Sequence, residues 1–185
     1  MNLSILPKYL LIPIDDGACN HLKDKQIPVI SLPNQEGNLL KLNRSDSFKL
    51  IIYCYPMTGH PGKPLPKNWN SIPGARGCTP QTCSFRDAHD DFITRNAVPI
   101  GLSTQSIPDI KEMTARLLVP YDVVSDEQLN FANQLHLPTF KIDGKVYIKR
   151  LTLIVEESII KHFFYPVFPP DLHVKEVLQW LDSNR

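Results

Sequence analysis

Short runs of consecutive apolar residues alternate along this chain with stretches that repeat every three to four positions. Phe48-Lys49-Leu50-Ile51-Ile52-Tyr53-Cys54-Tyr55-Pro56 is almost continuously apolar, β-branched or aromatic, the pattern of a strand buried on both faces. Val98 to Ser103 reads as a second buried strand, Tyr121 to Val124 as a short one, and Arg150 to Val155 as a third core strand. Ile159 to Tyr165 is its antiparallel partner. Helical periodicity covers Pro80 to Ile93, Ile107 to Leu118 and Asp126 to Leu135. The second of these has apolar residues at 107, 110, 113 and 117 and start signals at Ser106 and Pro108. A final amphipathic helix, Val174 to Leu181, sets Val174, Val177, Leu178 and Leu181 on one face. Asp143-Gly144 marks a hairpin between Thr139–Ile142 and Val146–Ile148. Near the N-terminus, Gln26 to Leu32 reads as an edge strand, since Pro28 disfavours a central position. A turn at 34–38 leads to Leu39–Leu42, which completes a hairpin. This order predicts an α/β domain with an N-terminal β-hairpin, a central mixed sheet and helices on both faces.

A length of 185 residues suits one domain with a sizeable core. Its 20 basic residues against 19 acidic ones are scattered, so no nucleic-acid partner is expected. The first fourteen residues are apolar, but Pro7 and Lys8 interrupt them and Asp15-Asp16 follow, unlike a secretory signal. No apolar run reaches the ~20 residues of a membrane span. A cytoplasmic, reducing setting is the expectation. Four cysteines in such a chain do not make a disulfide scaffold, and a close pair points to catalysis or metal binding. Cys54 lies inside the first strand and reads as a buried core residue.

The close pair is Cys78 and Cys83, in Gly77-Cys78-Thr79-Pro80-Gln81-Thr82-Cys83-Ser84-Phe85-Arg86-Asp87. A Pro- and Gly-rich loop, Ser71 to Gly77, precedes it. Thr79 as N-cap and Pro80 in the first turn announce the helix. A thiol at this junction faces free backbone N–H groups and the positive end of the helix dipole, which favour its thiolate. The residues alone leave four readings: two unrelated cysteines, half of a zinc site with His89, a thioredoxin-type disulfide exchanger, or a thiol peroxidase. Zinc lacks a second ligand pair. His89 reads as a packing histidine, Arg86-Asp87 as structural charge contacts, and Phe163-Phe164-Tyr165 with Pro166 and Phe168 as core or as a cover over the site.

Gly77-Cys78-Thr79-x-x-x-Cys83-x-Phe85-Arg86-Asp87 resembles the active-site helix of peroxiredoxins, most closely the Q-type (bacterioferritin-comigratory) subgroup. Tyr53-Cys54-Tyr55-Pro56 is similar to the strand end before that family's active loop. Gly101-Leu102-Ser103 matches its second core strand, and Arg150-Leu151-Thr152-Leu153-Ile154-Val155 the strand that carries its arginine. The resemblance covers roughly residues 26 to 182. It implies a thioredoxin-like fold and reduction of hydrogen peroxide and organic hydroperoxides. Electrons would come from thioredoxin or a similar dithiol, without cofactor or metal. Cys78 would be peroxidatic, Cys83 resolving, and Arg150 the guanidinium beside Cys78, with Arg76 a rival or helper. Cys19 is the poorer candidate for resolving thiol.

Leu151 stands where thioredoxins carry a cis-proline, which weighs against the disulfide exchanger. A non-enzymatic redox sensor would use the same pair. The chain would be a monomer or a homodimer.

Two departures stand out. The family usually has Thr or Ser three residues before the peroxidatic cysteine and Pro seven before it. Here those positions hold Ala75 and Ser71. Residues 57–72 therefore read as an inserted Pro-rich loop, and 1–25 as an N-terminal extension, of one domain spanning 1–185. The proline role then falls to Pro56, and the hydroxyl role to Thr58 or Ser71, or is vacant. Where the family often has Glu, this chain has Gln81, an amide that orients without charge. Residues five apart on an intact helix have Cα atoms about 8–9 Å apart, whereas a disulfide needs roughly 4.4–6.8 Å. If both cysteines start on the helix, its first turn must unwind for them to join.

Overall fold

The computed structural model describes residues 10–44 and 47–184. In chain order the strands are β1 (Ser31–Pro33), β2 (Leu39–Lys41), β3 (Lys49–Cys54), β4 (Ala97–Ser103), β5 (Val123–Ser125), β6 (Thr139–Ile142), β7 (Lys145–Ile148), β8 (Leu151–Glu156) and β9 (Ile159–Phe164). The helices are α1 (Cys78–Asp87), α2 (His89–Ile93), α3 (Ile107–Leu117), α4 (Asn130–Leu135) and α5 (His173–Ser183). The central sheet has the order β5-β4-β3-β8-β9. β4 runs parallel to β3, and β5 to β4. β8 and β9 are added antiparallel on the other side. The predicted hairpins at β1–β2 and β6–β7 form separate two-stranded sheets.

β3 explains the continuous apolar run, because both of its faces are covered. Leu50, Ile52 and Cys54 point into one core with Phe131, Ala132 and Leu135 of α4 and with Cys19 and Leu22. Ile51, Tyr53 and Tyr55 point into the other, with Phe85, Phe92, Ile110, Met113, Val177 and Leu181 from the remaining helices. Successive side chains of a strand must face opposite ways, so one strand serves two cores, and helices flank both faces as expected. Gly101 in β4 lies against Tyr53. A Cβ there would meet the Tyr53 hydroxyl at 2.9 Å and Val123 Cγ2 at 3.1 Å. The absent side chain lets the Tyr53 hydroxyl reach Tyr121 Oη at 3.1 Å, and Tyr121 in turn donates to the Thr82 carbonyl of α1 at 3.3 Å.

Several boundaries differ from the sequence reading. The single helix expected over 80–93 is two, broken at Ala88. The helix expected from Asp126 starts only at Asn130. Asp126 is buried, and its carboxylate accepts the N–H groups of Phe131 at 3.0 Å and Ala132 at 2.9 Å. It satisfies the free donors of α4 from outside instead of joining its first turn. Of the edge strand expected over 26–32, Ser31 and Leu32 pair in β1, while Gln26 forms an isolated bridge to Ile159. Arg150 stands just ahead of β8 and not within it. In the extension, residues 1–9 lie outside the described residues. Cys19 and Leu22 after them are fully buried, and the Asp24 N–H donates to the Ile160 carbonyl at 2.8 Å.

The segment 57–72 is irregular apart from a 3-10 turn at Trp69–Ser71. Trp69 anchors it. Its ring is buried, packing edge-on to Tyr147 at 5.1 Å and against Phe140 at 5.7 Å in the β6–β7 hairpin. The Lys67 N–H also donates to Asp143 in the hairpin turn.

His173 opens α5 and is fully enclosed. Its Nδ1 lies 2.9 Å from a Glu176 carboxylate oxygen, which only accepts, so Nδ1 carries the proton. Nε2 then accepts from the Thr152 hydroxyl at 2.9 Å. Burial pushes the His173 pKa below its ordinary 6.5; Glu176 opposes this, and the nearby Arg150 charge adds to it. Because the folded value is the lower one, the unfolded chain binds the proton first as pH falls. The contribution is fully present above about pH 6.5 and is lost progressively below it. Urea unfolding at pH 7.5 and pH 5.5 should show lower stability at the acid end, and His173→Gln should flatten that difference.

Candidate active site

Cys78 is the first residue of α1, two positions earlier than the sequence signals suggested. Gly77, and not Thr79, is the N-cap, with φ 99°. Only glycine takes this left-handed geometry without strain, so Gly77 fixes where the helix begins. The first helical hydrogen bond runs from the Gln81 N–H to the Gly77 carbonyl at 3.0 Å. Pro80 sits in the first turn, where its missing N–H costs no bond. The N–H groups of Cys78 and Thr79, in the first turn, have no intrahelical acceptor there.

Arg150 converges on the same point from the start of β8. The Cys54–Leu151 register between β3 and β8 places it beside the end of β3. Its Nη2 lies 3.1 Å from Cys78 Sγ, 3.0 Å from the Arg76 carbonyl and 3.2 Å from the Gly74 carbonyl. Nη1 donates to Oε1 of the fully buried Gln81. Arg150 is only 3% exposed, and none of these partners is a carboxylate. A buried cation is costly to desolvate, and the Cys78 sulfur is among the groups its guanidinium reaches. Nη2 has two protons for three acceptors, so a charged sulfur competes well for them. As a thiol, Cys78 instead donates to the Ala75 carbonyl at 3.6 Å.

Cys78 opens into a narrow recess of about 20 Å³, which Met57, Leu65, Trp69, Ala75, Arg76 and Thr79 help to line. Cys83 is on the same helix, half-buried against the core that holds Tyr53 and Phe85. Burial raises its pKa above the ordinary 9.0, with Arg86 partly opposing. With both cysteines on α1, the condition for unwinding set by the helix geometry is met. Cys19 is also buried and its pKa is pushed up to about 12, chiefly by burial.

Neither residue expected to supply a hydroxyl stands at the sulfur. The Thr58 hydroxyl donates to Gln105 Oε1 at 3.1 Å, and the Thr58 N–H donates to the same oxygen at 2.8 Å. Ser71 is exposed in the 3-10 turn. Thr79, buried and directly after Cys78, is the hydroxyl residue of the recess. Pro56 is buried at the end of β3, where its carbonyl accepts from Ser103 at 3.1 Å. Arg76 contributes its carbonyl to Arg150, and it also lines the recess. His89 is not on the helix of Cys78. It opens α2 and stacks on Tyr121 at 6.0 Å. Arg86 pairs with Asp87 and donates to the Leu117 carbonyl at the end of α3 at 2.7 Å.

Sequence reasoning missed the carbonyls of Gly74 and Arg76, since any residue carries one. It also missed Gln105, which lies in an ordinary loop after β4. It treated Met57 and Leu65 only as parts of a Pro-rich segment.

The family model described as Redoxin matches residues 22–181. A chloroplastic peroxiredoxin Q of Oryza sativa subsp. japonica is 24% identical over 161 residues, covering 87% of this chain and 67% of its own. Among solved structures, the peroxidoxin BcpB of Mycobacterium tuberculosis superposes with a TM-score of 0.72 at 23% identity, covering 88% of this chain and 97% of that one. The bacterioferritin comigratory protein of Xanthomonas campestris, solved in connection with its alkyl peroxide reduction activity, gives a TM-score of 0.65 at 18% identity over 95% and 98% of the two chains. The resemblance read from the motifs and the thioredoxin-like fold it implied are thereby borne out.

Removing the amide that holds Arg150 tests the buried network. Gln81→Leu should lower the unfolding free energy by about 1–3 kcal/mol, the cost of a buried donor left without its acceptor. Gln81→Glu, which keeps an acceptor, should lose less. Urea denaturation of the reduced protein measures both.

Proposed function

The chain belongs to the Redoxin family, and on that premise we propose that it is a thiol peroxidase that reduces hydroperoxides through Cys78, with Cys83 as resolving thiol. The observation that carries the reading is the convergence of the helix N-terminus and the buried Arg150 guanidinium, 3.1 Å away, on one sulfur. Attack at the distal peroxide oxygen forms an S–O bond and breaks the O–O bond. Cys78 becomes a sulfenic acid, and the departing oxygen takes a proton and leaves as water or an alcohol. Negative charge moves from sulfur to that oxygen during the step. Arg150, 3.1 Å from the sulfur, and the helix N-terminus at Cys78 would stabilise that charge as a preorganised electrostatic environment.

Cys83 completes the cycle in this reading. Its thiol displaces the sulfenic oxygen as water and forms the Cys78–Cys83 disulfide. Thioredoxin or a similar dithiol then reduces that bond and is itself oxidised to a disulfide. The condensation requires the first turn of α1 to open, because the helical rise holds the two cysteines too far apart. Burial keeps Cys83 protonated until then. A reducing compartment is part of the proposal, as the cycle needs a steady supply of dithiol.

A sensor with the same cysteines would oxidise but not turn over. With a thioredoxin system and excess hydrogen peroxide, wild type should turn over repeatedly and Cys78→Ser should be inactive. Cys83→Ser should lose thioredoxin-linked turnover while Cys78 is still oxidised by peroxide. Mass spectrometry of peroxide-treated wild type should show the loss of two hydrogens and a peptide joining residues 78 and 83. Disulfide formation without turnover above the Cys78→Ser background would favour the sensor. Full turnover of Cys83→Ser would remove Cys83 from the cycle.

A further inference from the structure

The irregular segment 57–72 shapes the approach to Cys78. Met57, Gly59 and Leu65 line the recess in front of the sulfur, and the same three residues line a neighbouring cleft of about 460 Å³. They are a partition with a space on either side. The recess itself is about 20 Å³, where about 10–15 Å³ is needed for a single water. Beside the sulfur the recess offers room on the scale of a small peroxide, and on the side of the partition the bulk of an alkyl group would meet Met57 and Leu65. The cleft beyond the partition is many times larger, and its walls include Lys63, Lys67, Lys145, Asp109 and Glu112.

The partition is held in place. Met57 and Leu65 pack against the cluster formed by Trp69, Ala75 and Tyr147. Behind it, Gln105 grips Thr58 through three hydrogen bonds, two accepted by its oxygen and one donated by Nε2 to the Thr58 carbonyl. Arg116 donates to the Gly59 carbonyl at 3.2 Å. A wall fixed at both ends excludes substrate bulk instead of yielding to it.

We infer that Met57 and Leu65 are specificity-determining residues, setting this site for hydrogen peroxide over bulky organic hydroperoxides by closing the Cys78 recess off from the adjoining cleft. The inference rests on the peroxidase reading and adds a substrate class to it. A hydrophobic wall of one or two side chains is worth roughly 10–200-fold in discrimination. Cutting Leu65 back joins the two spaces and gives an alkyl substituent somewhere to lie.

The test is the ratio of kcat/KM for cumene hydroperoxide to that for hydrogen peroxide, measured under one thiol-reductant system. Wild type should favour hydrogen peroxide. Leu65→Ala and Met57→Ala should each raise the ratio about tenfold or more, within the range for a lost apolar wall. Leu65→Phe, which thickens the partition, should lower it, so a loosened segment in the alanine variants does not decide the matter alone. Equal efficiency of wild type on both peroxides, or a ratio unmoved by all three variants, overturns the inference while leaving the peroxidase reading intact. Failure of wild type to consume either peroxide above the Cys78→Ser background overturns the peroxidase reading itself.

Discussion

A buried guanidinium without a carboxylate partner is the interaction on which the rest of this structure depends. Arg150 is taken out of water at a cost of several kcal/mol, and among the described residues its hydrogen-bond partners are two carbonyl oxygens, one amide and a sulfur. Cys78 is itself 3% exposed. The site thus sets the guanidinium and the sulfur side by side, both withdrawn from solvent. A peroxide that accepts the sulfur's electrons meets a cation already aimed at the charge it will develop.

Holding that pair takes most of the fold. β3 and β8 lie side by side in a register that pairs Cys54 with Leu151, so the residue before Leu151 emerges where β3 gives way to the active segment. α1 is tied to the sheet by Tyr121, which reaches the Thr82 carbonyl, and by Phe85 packing on Tyr53 at 4.4 Å. The carbonyls of Gly74 and Arg76 turn towards Arg150 because the chain bends sharply before Gly77. The same bend leaves the first N–H groups of α1 free. The helix start, the arginine and the irregular segment are three separate stretches of chain, and only the central sheet brings them to one sulfur.

The segment 57–72 has a different kind of constraint. Prolines stop it from forming regular structure, so its shape comes from side-chain anchorage. Trp69 clamps it to the β6–β7 hairpin and Gln105 clamps it to the end of β4. A rigid irregular loop can hold apolar side chains where a strand or helix would have to place them at fixed intervals. Here it sets Met57 and Leu65 beside the reactive sulfur.

The sequence by itself determined the strand pattern, the two-faced burial of β3, and a cysteine near a helix start with a second cysteine on the same helix. These are local properties: periodicity, turn chemistry and spacing are visible within a few residues. Arg150 was legible only through likeness to a known motif, because no local signal tells a buried arginine from a surface one. Whether Thr58 or Ser71 takes the hydroxyl role, or the role is vacant, was left open for the same reason. Each is near Cys78 in sequence, yet the partner of Thr58 is Gln105, 47 residues later. Even the helix start was read two residues late, since Thr79 is a good cap by type but it is Gly77 that has the left-handed backbone geometry at the cap. What tertiary structure decided was which distant groups meet and which atoms face the recess. That depends on strand register and on how an irregular segment is clamped, and both are settled by contacts between residues far apart in the chain.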